Sequence, residues 1–255
     1  MARKDLPGLT QRSPTMASQE SEKFLIRRMQ SSDIPILGTL AATTYFDSPL
    51  TTFLRPRRHE YPEHVIRNFV QMIQGRYLNP RSIGFVAVDR ASPSTPVAYA
   101  QFIRLGNDQA ALQLISDQRS IWRLLQAWWF KIQASVVNLF SPDRSVSHDA
   151  LDAFMKSVKH DEQLYWESPE MKIKYSNRWH AQSVVVSPSY HRQGIGRRLM
   201  EEVLRRAQNE GVVVGLEASE DGEKLYQKLG FELRGLFSMN IGLPAGGIMM
   251  WTPKG

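Results

Sequence analysis

The stretch that most limits how this chain can fold is residues 184–208, VVVSPSYHRQGIGRRLMEEVLRRAQ. Three consecutive β-branched valines predict a buried strand, because branched side chains pack well on a pleated surface and lose rotamer freedom in a helix. Pro188 cannot donate to a ladder and ends that strand. Beyond it Leu199, Met200, Val203, Leu204 and Ala207 recur at helical spacing, and Gly211 stands where a helix C-cap is expected. Between strand and helix lies a short basic turn with Gly194 and Gly196. A helix start presents unpaired N–H groups and the positive end of its dipole, and glycine lets the backbone approach a ligand without an intervening Cβ. Such a turn suits a pyrophosphate, with Arg192, Arg197 and Arg198 adding charge. The same arginines also fit an ordinary solvated helix face. Two phosphate-binding fingerprints are excluded: G-x-G-x-x-G requires glycine where this chain has Leu199, and a P-loop requires Gly-Lys-Ser/Thr after the turn.

Around this unit the sequence predicts strands over 23–29, 83–89, 97–105, 178–187 and 212–219. Helices are predicted from Ser32 as cap, over 61–77, over 197–211 and over 220–230. RASPSTP (90–96) reads as the turn of a hairpin, and a last strand pair surrounds GLPAGG. Strand–helix–strand–helix followed by a hairpin predicts a mixed sheet with helices on both faces, an α/β (α+β) fold. Residues 106–170 break that rhythm and read as a helical insertion. Within it Trp122, Trp128 and Trp129 belong to an apolar helical stripe, read as packing onto the sheet, with the lining of an apolar pocket as the alternative. Lys131 and Gln133 interrupt this stretch, which is too short and too polar to span a membrane.

The 255 residues include no cysteine, so disulfides, thiolate–metal sites and a cysteine nucleophile are excluded, and no metal is expected. The formal net charge of +7 suits an anionic ligand or partner. The basic residues are dispersed apart from RPRRH (55–59), so nucleic acid is not the expected partner. Residues 1–22 are polar and lack the apolar run of a secretory signal. They read as a disordered tail ahead of a single domain over 23–255, in a cytoplasmic or nuclear protein with no membrane partner.

VVVSPSYHRQGIGRRLM taken with GLEASEDGEKLYQKLGFE resembles the GNAT N-acetyltransferase superfamily. Val186-Ser187-Pro188 stands at its V-x-P strand end, Gly194 and Gly196 in its Q/R-x-x-G-x-G/A turn, and Leu225-Tyr226 with Gly230-Phe231 in its L-Y-x-x-x-G-F element. FLIRRMQSSDIPILGTLAATTYFDSPL resembles the family's opening strand and helix. The likeness covers 24–105 and 178–253 and leaves the insertion unexplained. The chain departs from the pattern at His191 (family Q/R), Ser219 (often Asn) and Gly222 (often Ala).

The resemblance implies a mostly antiparallel central sheet. It implies acetyl transfer from acetyl-coenzyme A, as co-substrate, to an amine on a small molecule, peptide or protein, by direct attack in a ternary complex. The alternative is an inactive acyl-coenzyme A sensor or protein-interaction module on the same fold. It also implies that the pantetheine lies between the strands at 182–187 and 213–219, along backbone groups of Val184, Val185 and Val186. The pyrophosphate would rest on His191, Arg192, Gln193, Gly194, Ile195, Gly196 and Arg197, with Ser219 nearby. Tyr226 is implied as the acid that protonates the departing thiolate. For the base, strand alternation puts residues 180, 182, 184 and 186 on one side, and some family members carry histidine at matching positions, so His180 is the first candidate. Glu167, Glu170 and Glu217 are rivals. Tyr45, Tyr61 and Tyr99 read as structural. The acceptor is not specified.

Overall fold

The computed structural model describes residues 23–238 and 246–254. Its seven strands are β1 (Phe24–Arg28), β2 (Ser82–Asp89), β3 (Ser92–Leu105), β4 (Arg178–Val186), β5 (Val213–Ala218), β6 (Glu232–Leu236) and β7 (Gly247–Trp251). They form one sheet in the order β1-β2-β3-β4-β5-β7-β6. Every neighbouring pair is antiparallel except β4 with β5. A parallel pair needs a crossover, and the helix read from the sequence supplies it: α8 (Ile195–Glu210), whose Leu199, Met200, Val203, Leu204 and Ala207 are buried on one face of the sheet.

The other face is covered by α1 (Ile34–Tyr45) and α3 (Pro62–Leu78). Their Leu37, Ala41 and Ile73 bury with Val86, Tyr99 and Val185. Farther along that face a third cluster joins Trp166 and Tyr175 to Val213, Ile248 and Met250. It is brought there by the insertion, which folds as α4 (Gln109–Gln118), α5 (Ile121–Phe140), α6 (His148–Tyr165) and α7 (Pro169–Tyr175).

The structure departs from the sequence expectations in several places. Ser32 does not cap α1. Ser31–Asp33 forms a 3-10 turn, in which the buried Asp33 carboxylate accepts from the Gln30 N–H (2.8 Å) and from Arg27 (2.8 Å), and α1 starts at Ile34. A short helix, α2 (Pro49–Leu54), is capped by Ser48, whose hydroxyl accepts from the Thr51 N–H; its six residues are too few for a periodicity to show. The hairpin turn is tighter than RASPSTP, because β3 already starts at Ser92. Register shifts between Ala87, Val88 and Asp89 admit the two prolines there. Trp122, Trp128 and Trp129 do not pack onto the sheet; all three are exposed. The tail at 1–22 and residues 239–245, with most of the GLPAGG turn, lie outside the described residues.

The insertion is anchored next to a buried charge network. Arg104 on β3 is fully buried, and its Nε donates to Glu210 at the end of α8 (2.7 Å). It also bonds Asp108, whose other oxygen caps α4 by accepting from the Ala111 N–H (2.9 Å). Trp179 on β4 donates its indole N–H to the same Glu210 carboxylate (3.1 Å). Removing Glu210 would leave the buried Arg104 guanidinium with Asp108 as its remaining carboxylate and the Trp179 indole N–H without its acceptor. Glu210→Ala should therefore lower unfolding stability by about 2 kcal/mol in a urea titration. A loss within about 0.5 kcal/mol, typical of surface substitutions, would show that solvent serves Arg104 equally well.

Candidate functional site

The site is made by one extra residue. Along β3, Gln101 faces Ser183 and the next residue, Phe102, faces Ala181, so Gln182 is the unpaired residue of a β-bulge in β4. A bulge bends its strand and increases the local twist. On the other side, β4 and β5 pair only from Arg178–Val213 to Ala181–Leu216. Past the bulge β4 continues to Val186 and β5 to Ala218 without further pairing, and the two strands enclose a wedge-shaped split. Arg76 of α3 fastens the bend by donating to the Ser183 hydroxyl (2.6 Å) and the Gln182 carbonyl (3.2 Å).

The bulge also overturns one expectation. Trp179 and Ala181 before it, and Val184 and Val186 after it, all join the α8-side core. An extra residue shifts the side-chain alternation by one, so His180 faces away from the side on which Val184 and Val186 lie. Its ring meets Trp166 edge-on (centroids 5.7 Å apart), and its Nε2 lies 2.8 Å from Glu217 Oε2.

The Ser187 N–H pairs back to the Val97 carbonyl (2.9 Å), so ladder alternation turns the backbone groups of Val184 and Val186 toward the split. Tyr45 Oη donates to the Val184 carbonyl (3.3 Å) and His191 Nε2 to the Val186 carbonyl (2.9 Å). Val185 instead faces Tyr99 across the ladder and buries its side chain beneath α1.

The split leads to the glycine turn. Arg192 (φ 58°) and Gly194 (φ 72°) both take left-handed backbone, which a non-glycine residue adopts only at a cost. Gln193 accepts from Lys23 Nζ (3.1 Å). The start of α8 has no side-chain cap, which leaves its first N–H groups available to an anion. Arg197 is exposed and pairs with Glu201 (2.8 Å); Arg198 donates to the Phe24 carbonyl (3.0 Å). Ile195 is a core residue. The two glycines serve different ends. Gly194 supplies the backbone angle, whereas a Cβ on Gly196 would come within 3.2 Å of Leu225 Cδ2, so that glycine permits α8 to approach α9 (Glu220–Lys228). Ser219 caps α9 by accepting from the Gly222 N–H (3.3 Å).

Tyr226 projects from α9 with its ring edge-on to Phe231. Burial pushes its hydroxyl well above the ordinary tyrosine value, and Tyr45 adds to the shift. Burial raises Tyr45 as well. These two tyrosines come from opposite faces of the sheet and influence each other where β4 and β5 part. Both stay protonated at neutral pH and are therefore proton donors. Sequence reasoning missed Tyr45, because at the end of the apolar stripe of α1 it is indistinguishable from a packing residue. Tyr61 lies apart, against Arg57 (4.9 Å to its ring centre).

Of the candidate bases, the structure brings His180 and Glu217 together. Glu217 stands one residue past the last position at which β5 pairs with β4, while still pairing with Ile248 of β7 on its other side. Burial pushes its carboxyl up, but the His180 charge and hydrogen bond outweigh this and hold it below the ordinary value. The Glu217 side chain is 44% exposed and that of His180 15%, so the carboxylate is the accessible member. His180 Nδ1 has no hydrogen-bond partner among the described residues; it faces Gly215, where an added Cβ would lie 3.1 Å away. Glu167 is exposed and acts electrostatically on Arg178, and Glu170 is exposed in the first turn of α7. Among the described residues no group of three His, Asp or Glu side chains is placed to hold a metal ion.

A carboxyl whose folded pKa is depressed stabilises the fold above its unfolded value, here 4.5, and that contribution is lost as pH falls through the lower folded value. Between neutral pH and pH 3 the wild-type melting temperature should fall more steeply than that of Glu217→Gln. Parallel curves would show that the pair contributes nothing to stability.

Residues 160–233 match the family described as acetyltransferase (GNAT) domain. The chain is 24% identical over 215 residues to an acetyltransferase of Stachybotrys chartarum, which covers 82% of this chain and 81% of that protein. Among solved structures it is similar to a histone acetyltransferase and related acetyltransferase of Corynebacterium glutamicum, with a TM-score of 0.57, 15% identity, and 91% of this chain and 98% of that one covered. It is also similar to the polyamine N-acetyltransferase of Drosophila melanogaster, which forms N-acetylagmatine, with a TM-score of 0.53, 15% identity, and coverage of 89% and 97%. At these identities the structural likeness is one of fold.

Proposed function

We propose that this chain is a GNAT acetyltransferase that moves the acetyl group of acetyl-coenzyme A onto an amine at the split between β4 and β5. The observation that carries this reading is the split itself: an open strand edge that runs from a buried tyrosine pair to an uncapped helix start. The residues present fit the co-substrate. The backbone edge at Val184 and Val186 offers hydrogen bonds to an amide-bearing arm, and the turn over 191–197, with its left-handed Arg192 and Gly194, aims N–H groups at a diphosphate. Acetyl-coenzyme A supplies an activated thioester.

The remaining steps belong to this chain's side chains. A primary amine with an ordinary pKa near 10 is mostly protonated at neutral pH, and must lose a proton before it attacks. The Glu217–His180 pair takes that proton through Glu217, its accessible member. As the nitrogen–carbon bond forms, an N–H on the Val184–Val186 edge stabilises the charge that develops on the acetyl oxygen. As the carbon–sulfur bond breaks, Tyr226 gives its proton to the departing sulfur, and the extra proton that the newly acylated nitrogen still carries returns to the tyrosinate. Burial keeps the Tyr226 hydroxyl protonated at neutral pH, so its proton is present when the sulfur departs. Tyr45 positions the same edge through the Val184 carbonyl.

The acceptor class follows from the site. Glu217 is a carboxylate at the rim of the split and attracts an ammonium group. The acetylation of polyamines and agmatine by proteins of the same fold accords with an amine acceptor here.

Free coenzyme A at about 100 times its dissociation constant should raise stability by about 2.7 kcal/mol, read as a melting shift, whereas NAD should give none. Tyr226→Phe should lower kcat by about 10²-fold and leave that shift intact, and Glu217→Gln should act likewise while flattening the acid limb of the kcat/KM profile. No shift with coenzyme A overturns the donor site. Undiminished turnover in Tyr226→Phe overturns the acid.

A further inference from the structure

Helix α5 is the one long helix of the insertion that has no buried residue. It runs antiparallel to α3. Arg123 near its start donates to the Tyr77 carbonyl at the end of α3 and lies over the Tyr77 ring, while Arg67 near the start of α3 donates to the Ser141 carbonyl (2.7 Å) past the end of α5. At about 100° per residue, Arg123, Ala127, Phe130 and Ala134 share a narrow arc, and these are half-buried toward α3. Trp122, Leu125, Trp128, Trp129, Leu139 and Phe140 fill an opposite arc of about 120°. That arc faces outward: Trp122 is 73% exposed, Trp128 61%, Trp129 56% and Phe140 81%. Gln126 and Gln133 border it on one side, and Lys131 and Asn138 on the other. A continuous apolar face of this kind on a soluble surface marks an interaction site.

We infer that the outer face of α5 docks on an anionic lipid surface, with the helix lying in the plane of the interface. Charge decides between occupants. Residues 118–142 carry no Asp or Glu, and of their three cations Arg123 is turned to α3, which leaves Arg119 and Lys131 beside the outer face. A second copy docked on the same face would set these two against their like with no acid in that stretch to answer them, whereas an anionic surface answers both. Residues 1–22 hold three cations and three acids and few large apolar side chains, too little to cover the arc. Tryptophan, an apolar ring with a polar N–H, favours the boundary between headgroups and acyl chains. The helix rests on the interface and does not cross it: no helix among the described residues is long and apolar enough to span, and Arg123 holds the inner face on α3. The expectation of no membrane partner tested only for a span. The inference is independent of acetyl transfer. It puts lipid outside α3, on the sheet face to which His180 turns.

The test is co-sedimentation of the full chain with vesicles of phosphatidylcholine alone or mixed with phosphatidylserine, at about 50 and about 500 mM salt. Wild type should bind the anionic vesicles at low salt, with a blue shift of tryptophan emission, and bind weakly to neutral vesicles or at high salt. The double substitution Trp122→Ser, Trp129→Ser should reduce partitioning by about tenfold or more, and Lys131→Glu should weaken only the anionic binding. Both variants should keep the melting shift with coenzyme A, which shows that they fold. Absence of wild-type binding at low salt overturns the proposal, as does equal binding by the double variant. A concentration-dependent dimer that the double variant abolishes, seen without vesicle binding, would give the face to a second copy and also overturn it.

Discussion

Everything at the centre of this protein depends on an extra residue in a strand. Gln182 has no counterpart on β3, and from that mismatch follow the bend of β4, its parting from β5 beyond Ala181 and Leu216, and the reversal of side-chain direction along the strand. A flat, fully paired sheet would satisfy every backbone group internally and leave no edge inside the molecule. The bulge leaves an edge unpaired in the interior, and the fold answers it with side chains. Tyr45 and His191 satisfy the Val184 and Val186 carbonyls, and Arg76 holds Gln182 and Ser183.

The electrostatics of the site follow from where its elements end. The parallel β4–β5 pair requires a crossover helix, and that helix necessarily starts near the top of β4, where the split opens. The positive end of its dipole is therefore directed at whatever enters the split. Glu217 sits just past the last rung between β5 and β4, so it is close enough to His180 to be held ionised yet still reaches solvent. Tyr226 is desolvated and stays protonated. Opposite proton affinities thus lie on opposite sides of one opening, which is what a reaction that removes one proton and delivers another requires.

The insertion does two separate jobs. Its end brings Trp166 and Tyr175 onto the sheet, where Trp166 walls in His180 and meets Gly215 so closely that a side chain there would collide. Its middle, α5, is held by a few polar anchors to α3 and turns its aromatic residues outward. The apolar stripe of α5 thus stays exposed, whereas the buried residues of the insertion, Trp166 and Tyr175, lie beyond the stripes that periodicity marks.

The strands, the crossover helix and the glycine turn were legible in the sequence, because each rests on local rules: β-branching, helical periodicity, and the backbone freedom of Gly194; Tyr226 was singled out only through the family resemblance. The partnership of Glu217 with His180, the part played by Tyr45 and the true facing of His180 were not. The first follows from the β4–β5 register, the second from the docking of α1 on the sheet, and the third from the bulge, a mismatch between two strands far apart in sequence that neither displays alone. The tryptophans of α5 mark the same boundary. Periodicity states that a helix has an apolar face, and only the tertiary structure decides whether anything in the chain covers it.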